Sequence, residues 1–198
     1  MGEQRVSLVQ DEVSMQQFVK KLLRDVQALE YMLDNDWFEK DIVRIGAEQE
    51  MCLVHRKTYK PATIAIEALE HMKEYDWVET ELAKFNLETN LDPREFTGHC
   101  LSELEKENAG KLDKISDKLK DLKARLILTG ILPTLRKYDL EMHNLTPKKR
   151  YYALMEAINS QLQGNAYELR LSGIDELLLR HNSPLLEACN TSFQVHLQ

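Results

Sequence analysis

Ten residues, Ile45 to Val54, read IGAEQEMCLV, and they leave the chain few choices. Ile45, Ala47, Met51 and Leu53 recur at every second position, with Gln49 as the one interruption, which is the period of a strand that lays one face on a core. Glu48 and Glu50 then project together from the other face, close enough for their carboxylates to share one cation. Two like charges held side by side repel each other and are poorly solvated if the face is covered. A divalent cation or a cationic ligand between them relieves that cost. A Glu-x-Glu pair on a strand whose face is simply wet needs no ligand at all.

Two further stretches bear on that choice. In WVETELAKFNLETNL, Trp77 to Leu91, the residues Phe85, Leu87, Thr89 and Leu91 alternate with Asn86, Glu88 and Asn90, so Glu88 belongs to a polar face. Glu81 lies seven residues earlier. On one regular strand an odd separation sends it to the opposite face, so it joins the same site only if a turn or bulge intervenes. The stretch Ser192 to Gln198, SFQVHLQ, sets Phe193, Val195 and Leu197 against Gln194, His196 and Gln198. An imidazole on a strand is more often a hydrogen-bonded structural group than a ligand. With Glu48, Glu50 and Glu88 beside it, the polar front describes a concave site for hard cations and a polar substrate.

The helical patterns supply the backing. Asp11 to Asn35 carries Phe18, Leu22, Val26, Leu29 and Leu33 at helical spacing and reads as a packing helix. A short helical pattern runs through Ile66, Leu69 and Met72. From Leu101 to Leu128 the series Leu112, Ile115, Leu119, Leu122 and Leu126 predicts a long amphipathic helix whose lysines, Lys111 among them, form a solvated face; two heptads are too few to favour a coiled coil over a core helix. ARLILTGILPTL reads as a buried strand through Leu126 to Ile131, ended by Pro133. Asn144 is the expected N-cap, with Pro147 in the first turn, of a helix opened by Arg150 and Tyr151. Tyr167 to Leu171 alternates like a strand.

A chain of 198 residues, 43% hydrophobic, buries a real core as one domain or two small ones. The division expected is a helical segment over 1–40 and a larger unit over 41–198. A formal net charge of -7 argues against nucleic acid and anionic membrane as partners, while leaving room for a local groove that holds phosphates. Three cysteines, with no Cys-x-x-Cys spacing, point to a reducing compartment, and neither a signal peptide nor a membrane span is visible, so a cytoplasmic location is expected. Ser183 and Cys189 lack any motif context, and no protein nucleophile stands out.

In that order, the pieces IGAEQEMCLV, ELAKFNLETNL, LTPKKRYYALM and TSFQVHLQ resemble the glutamate–cysteine ligase family, in particular its second, YbdK-like carboxylate–amine ligase branch, over roughly residues 41 to 198. The resemblance implies an α+β, glutamine-synthetase-like catalytic fold, a curled antiparallel sheet with helices on its outer face. It implies that ATP phosphorylates a carboxylate, typically the γ-carboxylate of glutamate, and that a cysteine-like amine attacks the acyl phosphate to form an amide. Magnesium or manganese ions around the ATP phosphates are implied too, with Glu48, Glu50, Glu81, Glu88 and His196 matching metal ligands. Arg150, Gln194 and Gln198 are the implied nucleotide-binding residues, and Asn190 stands where relatives have a polar residue ahead of the His. Two other classes stay open: a non-catalytic nucleotide or amino-acid binding module, and a metal-dependent amide hydrolase. Because the chain stops inside a strand and the resembling family runs on, an incomplete catalytic domain is expected, inactive alone and open to homo-oligomer formation through its sheet edge.

Overall fold

The computed structural model describes residues 11–198. In chain order its first elements are α1 (Glu12–Asp34), β1 (Arg44–His55), α2 (Ala65–Glu70), β2 (Val78–Thr80), β3 (Asn86–Glu95) and α3 (Cys100–Asp121). Then follow β4 (Ala124–Ile127), α4 (Lys149–Leu162), β5 (Tyr167–Ser172), β6 (Glu176–His181) and β7 (Phe193–Leu197). The architecture is α+β, with an antiparallel sheet that does not close on itself.

β1 is the central strand. β3 runs along one of its edges, and β2 pairs with the far side of β3. The other edge of β1 is shared, β7 taking Ile45 to Gln49 and β4 taking Cys52 to His55. At the seam the Glu50 amide donates to the Ser192 carbonyl at 2.9 Å. This seam explains why an amide interrupts the apolar face of β1. The buried Gln49 donates through Nε2 to the carbonyls of Glu50 at 2.8 Å and Ser192 at 3.2 Å, so its polar group is satisfied inside the core.

The main core lies between the back of the sheet and two helices. Met51, Leu53, Val78 and Leu87 meet Ala65, Ala68 and Met72 from the α2 region and Ile115 and Leu119 from α3. α2 turns its alanines inward and leaves Ile66 exposed, the reverse of the expected role for Ile66. α3 ends seven residues before the expected boundary, because Lys123 takes a left-handed conformation (φ 54°) that turns the chain into β4, where Leu126 resides. Lys111 departs from the solvated face. It is buried, donates to the Asn90 carbonyl at 2.6 Å, pairs with Glu107 at 2.6 Å and stands 5.2 Å from the Trp77 ring centroid, which ties α3 to β3.

A second core gathers Phe85, Leu140, Leu145, Tyr151, Met155 and Leu185. Asn144 is not the N-cap of α4: it is buried, with Nδ2 donating to the Asp139 carbonyl at 2.8 Å, and the helix starts after Lys148 with no side-chain cap. The strand expected through Ile131 stops at Ile127, and Ile131 forms only an isolated bridge to Asn190. β5 and β6 form a separate hairpin. On β7 the apolar back residues Phe193, Val195 and Leu197 are exposed, and no residue of α1 is buried, so α1 is not the packing helix its pattern suggests. No helix among the described residues is long and apolar enough to cross a membrane.

Candidate metal centre

The front of the sheet collects carboxylates from three places in the chain. Glu50 on β1 faces Glu88 on β3 directly in register. β2 and β3 are antiparallel neighbours with Glu79 opposite Glu88, so Glu81, one pair beyond the end of β2, falls on the same front as Glu88. The intervening turn is what the odd spacing of Glu81 and Glu88 requires. One carboxylate oxygen from each of Glu50, Glu81 and Glu88 lies within 4.8 Å of the other two. Opposite oxygens stand at most roughly 4.2 Å apart around magnesium at about 2.1 Å and up to roughly 5 Å apart around a larger hard cation at about 2.3–2.6 Å, so the cluster is spaced for a hard cation and would close slightly around magnesium.

The same crowding perturbs the acids. Burial first, and then the charges of Glu81, Glu48 and Glu50, push the Glu88 carboxyl up to about 8. Burial likewise raises Glu81; the hydrogen bond it shares with Glu88, the Leu82 amide at 3.1 Å and the attraction of Arg150 pull the other way without cancelling it. At neutral pH Glu88 holds a proton that its neighbours favour.

Glu50 is the best-held of the acids. It accepts from the Ser192 amide at 2.7 Å, the Ser192 hydroxyl at 3.1 Å and Gln194 Nε2 at 3.1 Å, so β7 fixes its orientation. Glu48 lies just outside the three-oxygen cluster, with its Oε2 3.4 Å from Nε2 of the half-exposed His196. Arg150 reaches the site electrostatically through Glu81, its guanidinium carbon 4.9 Å from the Tyr151 ring centroid. Gln198 is drawn elsewhere, donating to Glu39 at 3.1 Å beside the Arg44–Glu39 ion pair.

Two contributors escaped the sequence reading, and a third, Asn86, was read there only as part of the polar face. Ser192 has the same strand parity as Gln194 and His196, a signal that was present. Glu79 faces Glu88 only through hairpin register, which no single-strand count reveals. Asn86 is buried beside Glu88 on the front. Its Nδ2 donates to the Ala188 carbonyl at 2.8 Å, while its buried Oδ1 has no hydrogen-bond partner among the described residues.

Tyr151 anchors the loop that carries Glu81. Its hydroxyl donates to the Thr80 carbonyl at 3.1 Å, and burial, then the charge of Glu81, push its pKa up to about 12. Thr146 Oγ1 donates to the Glu81 carbonyl at 2.7 Å from the same side. Tyr151→Phe removes one buried hydrogen bond, and the expected loss in urea unfolding is about 1–2 kcal/mol. A change below about 0.3 kcal/mol would mean that this bond does not hold the loop.

The open antiparallel sheet thus presents on its front a cluster of carboxylate oxygens, the donor type that suits a hard cation. Residues 44–198 match Glutamate-cysteine ligase family 2, and the chain belongs to that family. Family membership makes it a glutamate–cysteine-ligase-like carboxylate–amine ligase in general kind, with ATP, a carboxylate and an amine as the family's substrates. No curated protein and no solved structure matches the chain. α1 precedes the matched residues.

Proposed function

We propose that this chain carries the cation- and nucleotide-binding face of a cytoplasmic ligase that activates a glutamate-like carboxylate with ATP and joins it to a cysteine-like amine. The observation that carries the reading is the convergence of Glu50, Glu81 and Glu88 within 4.8 Å on one front, in a member of this ligase family. All the donors are carboxylate oxygens, which fits a hard cation and not a thiolate-seeking one. Glu50, Glu81 and Glu88 would hold the ion, with Glu48 and His196 at its margin. When bound, a divalent cation supplies neutralisation of phosphate charge and bridging of phosphate oxygens.

The protein's own share is positioning. Ser192 and Gln194 keep Glu50 aimed at the front, Tyr151 and Thr146 hold the Glu81 loop, and Arg150 adds positive charge where phosphate oxygens would lie. In the reaction proposed, a carboxylate oxygen of the substrate attacks the γ-phosphorus of ATP and ADP departs. The amine nitrogen then attacks the acyl carbon, the bond to phosphate breaks, and inorganic phosphate and a proton leave with the amide. No protein nucleophile takes part.

Manganese tests the site through its paramagnetic spectrum. The chain is expected to bind the ion alone and more tightly with ATP, and Glu50→Gln and Glu81→Gln are each expected to weaken it tenfold or more while leaving the far-ultraviolet dichroism intact. Unchanged manganese affinity in both variants would remove the site, and amide release from a peptide without ATP would replace the ligase by a hydrolase.

A further inference from the structure

The match to the ligase family begins at residue 44 and leaves α1 without a role. This helix has 23 residues, none buried, and well-made ends: Asp11 accepts from the Ser14 amide at 2.8 Å, and Asn35 donates to the Tyr31 carbonyl at 2.8 Å. Such a helix stands about 35 Å long. Helices in proteins owe most of their stability to burying an amphipathic face. Here that face is open, from 44% exposure at Val19 to 63% at Val13.

Its apolar residues follow a sharper rule than amphipathicity. Met15, Val19, Leu22, Val26, Leu29 and Leu33 are spaced 4, 3, 4, 3 and 4 apart, which is an uninterrupted heptad seam. Phe18 and Leu23 widen the seam on its flanks. The half-exposed apolar side chains offer on the order of 700 Å² per helix, close to the ~800 Å² per partner of a stable protein interface.

We propose that α1 is a dimerisation helix, pairing antiparallel with α1 of a second copy of this chain. Charge sets the direction. On the flanks of the seam an antiparallel pair sets Phe18 beside Met32 of the second copy and leaves a single like-charge contact, Asp25 against its own copy, while Lys20, Lys21 and Arg24 lie away from the seam. A parallel pair instead makes two like-charge contacts, Asp25 against Glu30 on both flanks. The heptad register then stacks Met15 on the second copy's Leu33, Val19 on its Leu29 and Leu22 on its Val26, and brings Leu23 close to its own copy at the two-fold axis. An anionic membrane is the poorer occupant, because three basic residues on α1 are outnumbered by four acidic ones.

Light scattering on the whole 198-residue chain tests this. The expected mass is twice that of one chain, falling to one chain in the Leu22→Asp, Val26→Asp double variant, with at least about a hundredfold weaker dimerisation, since each helix then carries charges into an apolar seam. Manganese affinity is expected to stay unchanged in that variant, which separates this inference from the ligase reading. Under mild oxidation Leu23→Cys is expected to form a covalent dimer. A monomer at tens of micromolar, vesicle binding in place of dimerisation, a dimer that survives the double variant and therefore forms through another surface such as the sheet edge at β7, or failure of Leu23→Cys to cross-link would each overturn it.

Discussion

Phe85→Ala is expected to lower the unfolding free energy by about 3–5 kcal/mol, a large share of the ~5–15 kcal/mol that holds a whole domain together. Phe85 is fully buried, and its ring fills the second core among Ala83, Leu145, Tyr151, Met155 and Leu185. Its carbonyl accepts from the Leu53 amide at 2.7 Å, so the residue also ties the start of β3 to β1. Truncation loses the transfer energy of the ring and leaves a cavity that the surrounding helix and turns fill only in part. The cavity lies under the loop that carries Glu81, so manganese affinity is expected to fall together with stability. Ile66→Ala is the control: its side chain is exposed, and a change within about 0.5 kcal/mol is expected. Urea unfolding compares the two, and equal losses would mean that the second core contributes little.

The parts legible in the sequence were those governed by a single strand's alternation. Ile45, Ala47, Met51 and Leu53 lie inside while Glu48 and Glu50 share the front, and Phe85, Leu87, Thr89 and Leu91 lie inside while Glu88 faces out. What alternation could not show depended on neighbours. Lys111 has the sequence signature of a surface lysine, yet the Asn90 carbonyl, Glu107 and the Trp77 ring together offset the cost of its burial. Asn144 and Pro147 have the pattern of a helix start, but the Asp139 carbonyl claims the Asn144 amide and α4 begins later. Glu79 and Glu81 reach the front through hairpin register, and Gln198 leaves it because Glu39 offers a partner. In each case the deciding contact lies outside the reach of a single element's periodicity. The expected division at residue 40 falls between α1 and β1, and α1 shows the opposite failure: its helix was legible, its partner was not.

Glu88→Gln is expected to make the cation-free protein more stable at pH 8.5 and to change little at pH 5. Glu88 is raised in the folded state to about 8 from an ordinary value of 4.5, so folding favours its protonated form. The associated stability is fully present below about pH 4.5 and is lost as pH rises through about 8. The amide side chain of the variant never ionises and escapes that loss. After discounting for solvent screening at a half-buried carboxyl, the gain at pH 8.5 is about 1–3 kcal/mol. Saturating magnesium is expected to reverse the order, because a cation stabilises the ionised cluster by mass action and the amide variant has lost one of its three anionic ligands. Binding at pH 7 should also release close to one proton per ion from the wild-type chain and far less from the variant. Thermal unfolding at the two pH values, with chelator and then with excess magnesium, reads the stability changes, and calorimetry in two buffers reads the proton. A variant less stable than wild type at pH 8.5 in chelator would mean that the Glu88 carboxyl is not under strain from its neighbours. Equal stabilisation of both proteins by magnesium would place the cation somewhere other than between Glu50, Glu81 and Glu88.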